Sequence, residues 1–173
     1  MDQDEWLDLV NDTDMVIGKK LRSEVHAAGL HNYRAINLFL RNSTGELWIP
    51  RRTAHKKLHP LALDYSCAGH VQSGDTYEGT LKKEVMEELN MNTDEYDVRV
   101  LGKSTPQEGY SCFAMNYEIR TDTAPDYNPE DFIEAAWRVP KEVVRAIEAG
   151  DKAKTSLAPL IRRFYLKSDK SVA

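Results

Sequence analysis

The stretch Gly69-His70-Val71-Gln72-Ser73-Gly74-Asp75-Thr76-Tyr77-Glu78-Gly79-Thr80-Leu81-Lys82-Lys83-Glu84-Val85-Met86-Glu87-Glu88-Leu89-Asn90-Met91 decides how this chain is read. Thr76–Leu89 reads as a helix. Asp75 or Thr76 can cap its start, and Asn90 can close its end in the left-handed conformation. At about 100° per residue, Leu81, Val85 and Leu89 form one stripe that can face a sheet. Glu84, Glu87 and Glu88 form a second stripe about a quarter turn away. Spacings of three and four residues set these carboxylates side by side, where like charges cost a few tenths of a kcal/mol per pair. A hard divalent cation with oxygen ligands reverses the sign of that interaction. Taken alone, Glu-x-x-Glu-Glu is a common solvated surface pattern.

Outward from this helix, strands and helices alternate irregularly. Glu5–Val10 and Met15–Leu21 read as short strands around Asn11-Asp12-Thr13-Asp14. Ala35–Leu40 and Glu46–Ile49 flank a hairpin turn at Asn42-Ser43-Thr44-Gly45. Arg51–Pro60 reads as a basic loop, and Tyr65–Gln72 as a strand running into the helix. Val98–Leu101, Ser111–Ile119 and Ala135–Val139 read as strands, with Asp122–Pro129 a loop between the last two. Lys141–Ala149 and Ser156–Leu166 read as helices. The mixture predicts helices packed on the faces of a mixed sheet.

Bulk properties narrow the function classes. The 173 residues suit one domain, with 41% hydrophobic and 29% charged residues. A net charge of −5 argues against a non-specific nucleic-acid binder. It does not argue against a small phosphorylated substrate, since a metal ion can supply local positive charge. No stretch approaches the roughly 18 apolar residues that span a bilayer. The N-terminus has no signal pattern. Cys67 and Cys112 have no metal-ligand spacing and read as a reduced pair, so a cytoplasmic location is expected.

The quoted stretch resembles the Nudix box, in which Gly, Glu, Arg-Glu, an aliphatic residue, Glu-Glu and a second Gly recur at set spacings. Gly69, Glu84, Val85, Glu87, Glu88 and Met91 match it. Asp75 stands where the family has Glu, Lys83 where it has Arg, and Asn90 where it has Gly. The resemblance implies an α/β (α+β) fold, a Nudix-type mixed β-sheet sandwiched between α-helices, as a single domain over 1–173. It implies Glu84, Glu87 and Glu88 as ligands of Mg²⁺ or Mn²⁺, with the carbonyl of Ala68, and Glu84 as the group that orients or deprotonates water. A pairing of Asp75 with Lys83 is expected to brace the loop on the helix. A further carboxylate outside the box is expected among Glu108, Glu118 and Glu134.

Leu47-Trp48-Ile49-Pro50-Arg51-Arg52, His55-Lys56-Lys57 and Ser66-Cys67-Ala68-Gly69-His70 resemble the branch that includes isopentenyl diphosphate isomerase. That likeness implies Arg52 and Lys56 as diphosphate contacts, chemically sensible for an arginine fork and a lysine point charge. The isomerase carries a Cys where this chain has Ala68, with Cys67 one position away. His26 and His70 match two of its three metal-binding histidines, the third position being Tyr33, and His31 lies two residues off. Its later glutamate pair has no counterpart in Gly109-Tyr110-Ser111-Cys112. The expectation is therefore metal-dependent hydrolysis of a diphosphate linkage in nucleoside diphosphates or triphosphates. The alternatives are isomerisation of isopentenyl diphosphate and a non-catalytic diphosphate-binding module. The expected partner is a small phosphorylated substrate, a nucleotide, with no membrane and no nucleic-acid polymer; homodimerisation is left open. Trp48, Tyr65, Tyr110 and Phe113 are candidates to stack on a base, although aromatics in strands usually belong to the core.

Overall fold

A computed structural model describes residues 4–166. Strands β1 (Trp6–Val10) and β2 (Val16–Leu21) form an antiparallel hairpin whose turn is held by Asn11, its Oδ1 accepting from the backbone N–H of Thr13 and of Met15, each at 3.0 Å. The short helix α1 (Arg22–Ala27) follows at once. Periodicity does not reveal it, because six residues make under two turns and bury only Val25.

The main sheet contains β3 (Arg34–Arg41), β4 (Leu47–Arg52), β5 (Cys67–His70), β6 (Val98–Ser104), β7 (Phe113–Arg120) and β8 (Phe132–Arg138). Its order is β6-β7-β3-β4-β8, with β5 also paired to β3. Only the β3–β7 pair is parallel, so the sheet is mixed as expected. Arg51 and Arg52, expected in a loop, close β4, because β8 pairs with both and extends the ladder.

One edge of β3 is shared. Its first half, Ala35–Leu38, pairs with β5, whereas β4 meets it only at Arg41↔Leu47. The two strands therefore fork apart. Buried Ser66 bridges the fork, its Oγ donating to the Trp48 carbonyl (2.7 Å) and accepting from the Leu40 N–H (2.8 Å).

Helix α2 (Tyr77–Leu89) covers one face. Thr76 Oγ1 accepts from the Gly79 N–H at 3.0 Å, and Asn90 closes the helix at φ 50°. Leu81, Val85 and Leu89 pack against Ile36, Leu38 and Leu40. Burying three such side chains contributes about 1.5–3 kcal/mol each, well above the few tenths lost per like-charge pair, so the acidic stripe is tolerated. Helices α3 (Pro140–Glu148) and α4 (Leu157–Tyr165) cover the other face, where Val143, Leu157 and Leu160 meet Phe39 and Leu47. No helix among the described residues is long and apolar enough to cross a membrane. Both cysteines are free thiols, each buried.

Candidate active site

The site is built where α2 lies over β5. Residues alternate along β5: Cys67 belongs to the core under α2, Ala68 packs on the α3–α4 side, and Gly69 faces α2 again. A Cβ at Gly69 would lie 2.4 Å from Glu84 Cδ and 2.8 Å from its Oε1. The missing side chain is thus the space that the Glu84 carboxyl occupies. One turn later Glu88 leans on the same strand, its Oε2 3.5 Å from the Ala68 N–H and within reach of the Cys67 thiol.

Both carboxyls are half-buried, and both hold protons unusually well. Burial, then the charge of Glu87, pushes Glu84 up to about 7, against relief from Lys83. Burial, then Asp64 and Glu84, pushes Glu88 up to about 8, against relief from Lys154. A divalent cation bound there would offset the repulsion and displace those protons, and carboxylates with the Ala68 carbonyl would give it an oxygen donor set. Glu87 is different. It is exposed, and no three His, Cys, Asp or Glu side chains among the described residues converge as one metal-ligand group. Joint chelation by the three acids would need Glu87 to turn in from solvent.

The basic side comes from β4 and the loop after it. Arg52 Nη1 lies 2.7 Å from Asp64 Oδ2, and Lys56 Nζ lies 2.5 Å from Asp131 Oδ1. Both cations thus stand beside the acids that raise Glu88, already held by carboxylates. Asp64, Asp131 and Lys154 are the residues that sequence reasoning missed. They lie far apart in the chain, and nothing local distinguishes them from surface charges.

The other expectations divide. Glu108 caps the turn at Thr105 (3.0 Å), Glu134 pairs with Arg51 (2.7 Å), and buried Glu118 accepts from Arg120 Nε and the Tyr165 hydroxyl, each at 2.9 Å. All three are engaged in structural pairs, and the acids whose charge raises Glu84 or Glu88 include Glu5, Glu87, Asp64 and Asp131. Among the described residues Asp75 and Lys83 form no ion pair; the neighbouring Lys82 bonds Asp94 at 2.7 Å. Both are exposed, so solvation competes with pairing. Trp48, Tyr65 and Phe113 are core residues, leaving only Tyr110 half-exposed. His26 and His70 face each other, Nε2 to Nε2 at 3.1 Å, with Tyr33 stacked on His70 at 5.3 Å. Burial holds His70 well below the usual imidazole range. His31 is tied instead to the Ser111 carbonyl at 2.9 Å.

The chain matches the NUDIX domain over residues 31–164, a range that includes the glycine-backed glutamates at the spacing of the box. The chain belongs to the Nudix family. An uncharacterised Nudix hydrolase of Nostoc is 48% identical over 93% of this chain and 96% of its own length. The crystal structure of DR0079 from Deinococcus radiodurans superposes with a TM-score of 0.88 at 45% identity, covering 93% of this chain and 99% of that one. An isopentenyl-diphosphate Delta-isomerase of Kocuria rhizophila is 23% identical over 84% of this chain and 83% of its own, which supports the branch within the Nudix family. Hydrolysis of diphosphate linkages is the general activity of Nudix hydrolases, and their fold is the one described above.

Proposed function

We propose that this Nudix protein is a Mg²⁺- or Mn²⁺-dependent pyrophosphohydrolase of nucleoside diphosphates and triphosphates. One observation carries the reading: Glu84 and Glu88 both lie half-buried against β5, with no ion pair of their own among the described residues. Burying unpaired carboxylates costs stability, so their arrangement favours a role in function. Glu84, Glu87, Glu88 and the Ala68 carbonyl are the proposed metal ligands. When bound, the cation supplies positive charge to offset the negative charge developing on the phosphoryl oxygens. Glu84, seated against Gly69, is the proposed residue to orient the attacking water. Arg52 and Lys56 are the proposed diphosphate contacts, each paired with a carboxylate, Asp64 and Asp131 respectively.

The surroundings favour hydrolysis over isomerisation. Ala68 offers no acid or base, Cys67 is fully buried under α2, and Cys112 is buried against Tyr33 with its thiol pushed up to about 12. Protonation of a double bond from one side and deprotonation from the other needs two positioned groups. A non-catalytic binding module would not need crowded, half-buried acids.

A panel of nucleoside diphosphates, nucleoside triphosphates, sugar nucleotides and isopentenyl diphosphate, each with Mg²⁺ and with Mn²⁺, tests the reading. Phosphate or nucleoside monophosphate release from the nucleotides is expected. Conversion of isopentenyl diphosphate to its dimethylallyl isomer, or binding without turnover across the panel, would overturn it.

A further inference from the structure

The α3–α4 connection brings a lysine to the carboxylate that also holds Arg52. Leu63 N–H donates to the Lys152 carbonyl (2.8 Å) and Lys154 N–H donates to the Leu63 carbonyl (3.0 Å), making a short parallel bridge centred on Ala153. This bridge fixes the backbone on both sides of Ala153. The Lys154 ammonium then reaches Asp64 Oδ1 at 3.1 Å and lies 5.7 Å from the Tyr65 ring centroid. Asp64 is 2% exposed and fully committed: Oδ1 also accepts from the Tyr65 N–H (2.7 Å), and Oδ2 takes Arg52.

Two cations on one carboxylate leave a net positive charge. Lys154 has three donor hydrogens and one carboxylate partner among the described residues, and its side chain stays 23% exposed. Its charge also bears on Glu88 of α2, His70 of β5 and His59 of the intervening loop. Through Asp64 the ammonium shares one carboxylate with Arg52.

We propose that Lys154 is a substrate-binding residue that, with Arg52, takes the terminal phosphate of the diphosphate, while Asp64 is the positioning residue that holds both cations. This rests on the reading of the site as a pyrophosphohydrolase. The chemistry it selects is a diphosphate or triphosphate with a free end. A terminal phosphate carries up to two negative charges, and two point charges meet it; a phosphate capped on both sides carries one. The bland alternative is a tie that clamps the α3–α4 connection to the strand edge.

Lys154→Met keeps the aliphatic stem over Tyr65, and Lys154→Arg keeps the charge. Binding of imidodiphosphate, which resists hydrolysis, is measured by calorimetry with Mn²⁺ for both variants and the parent protein. KM and kcat are measured for a nucleoside diphosphate and for a sugar nucleotide, and Tm reports folding. Lys154→Met is expected to weaken imidodiphosphate about 10- to 100-fold and to raise the KM of the nucleoside diphosphate by a similar factor. Its kcat should hold, the sugar nucleotide should change less than about twofold, and Lys154→Arg should recover most of the loss. Imidodiphosphate affinity within about twofold of the parent, with only Tm lowered, would reduce Lys154 to a structural tie. Equal losses on both substrates would overturn the terminal-phosphate assignment. A parent protein that binds imidodiphosphate but hydrolyses nothing would instead overturn the hydrolase reading, leaving Lys154 to be judged on binding alone.

Discussion

Gly69→Ala tests the geometry of the site with a single methyl group. The added Cβ would sit 2.4 Å from Glu84 Cδ and 2.5 Å from its Cγ, against an ordinary contact of 3.4–4 Å. Relief therefore requires Glu84 to retreat by about 1 Å or more. The obstructing atoms, Cγ, Cδ and Oε1, belong to one side chain that can turn about its own bonds before the backbone of β5 and α2 has to move. The φ of Gly69 is not in the left-handed region, so alanine adds no backbone strain there. A 1 Å displacement of a group that orients water or a metal costs about 100-fold in rate, equivalent to about 2.7 kcal/mol at the transition state. The expected result is a kcat about 100-fold lower on whichever substrate the panel identifies. Mn²⁺ affinity, followed by electron paramagnetic resonance, should weaken, and Tm should change by a few degrees at most. Full activity with unchanged Mn²⁺ binding would refute the argument, because it would mean that the Glu84 position against β5 does not matter.

Glu88→Gln should lower kcat by about two orders of magnitude or more while stabilising the metal-free protein at pH 8 by about 1–2 kcal/mol in urea titrations, since a neutral amide removes the cost of a buried charge beside Asp64 and Glu84. Glu87→Gln should cost similar activity without that stabilisation, because Glu87 is already solvated; near-parent turnover in both variants would sink the metal assignment. Arg52→Ala should raise KM and also cost about 1–3 kcal/mol of stability, since buried Asp64 would keep only Lys154 and a backbone N–H; an unchanged KM would make Arg52 purely structural. In EDTA, stability should fall as pH rises from about 6.5 to 8. There the native Glu84 and Glu88 still hold protons, up to about 7 and 8, that the unfolded chain has already lost. Below that window His26 and His70, held neutral mainly by burial, oppose the trend, because the unfolded chain gains their protons first as pH drops. Saturating Mn²⁺ should flatten the fall between 6.5 and 8, and a flat curve in EDTA would contradict the raised carboxyls.

Some of this was readable along the chain and some was not, and particular residues show why. Helix α2 was legible because its apolar stripe, its Thr76 cap and its Asn90 stop are local, and all three were met in the structure. The strands were legible by alternation and turns, within a few residues at their ends. Helix α1 was too short to carry a period. Arg51 and Arg52 looked like loop residues because only pairing with β8 makes them strand. Glu108, Glu118 and Glu134 looked equivalent in sequence and differ only in the tertiary partners that engage them.

The sequence by itself determined which residues form the acidic turn, that a glycine precedes it at the spacing of the Nudix box, and that α2 would bury the neighbouring apolar stripe, because each depends on neighbours within a few helical turns. Only the tertiary structure decided that Gly69 makes room for Glu84, that Glu87 stays in solvent while Glu84 and Glu88 are drawn in, and that Asp64 gathers both the nearby Arg52 and the distant Lys154. Burial and charge interact through space, so distances between segments far apart in the chain set them, and no local pattern encodes those distances.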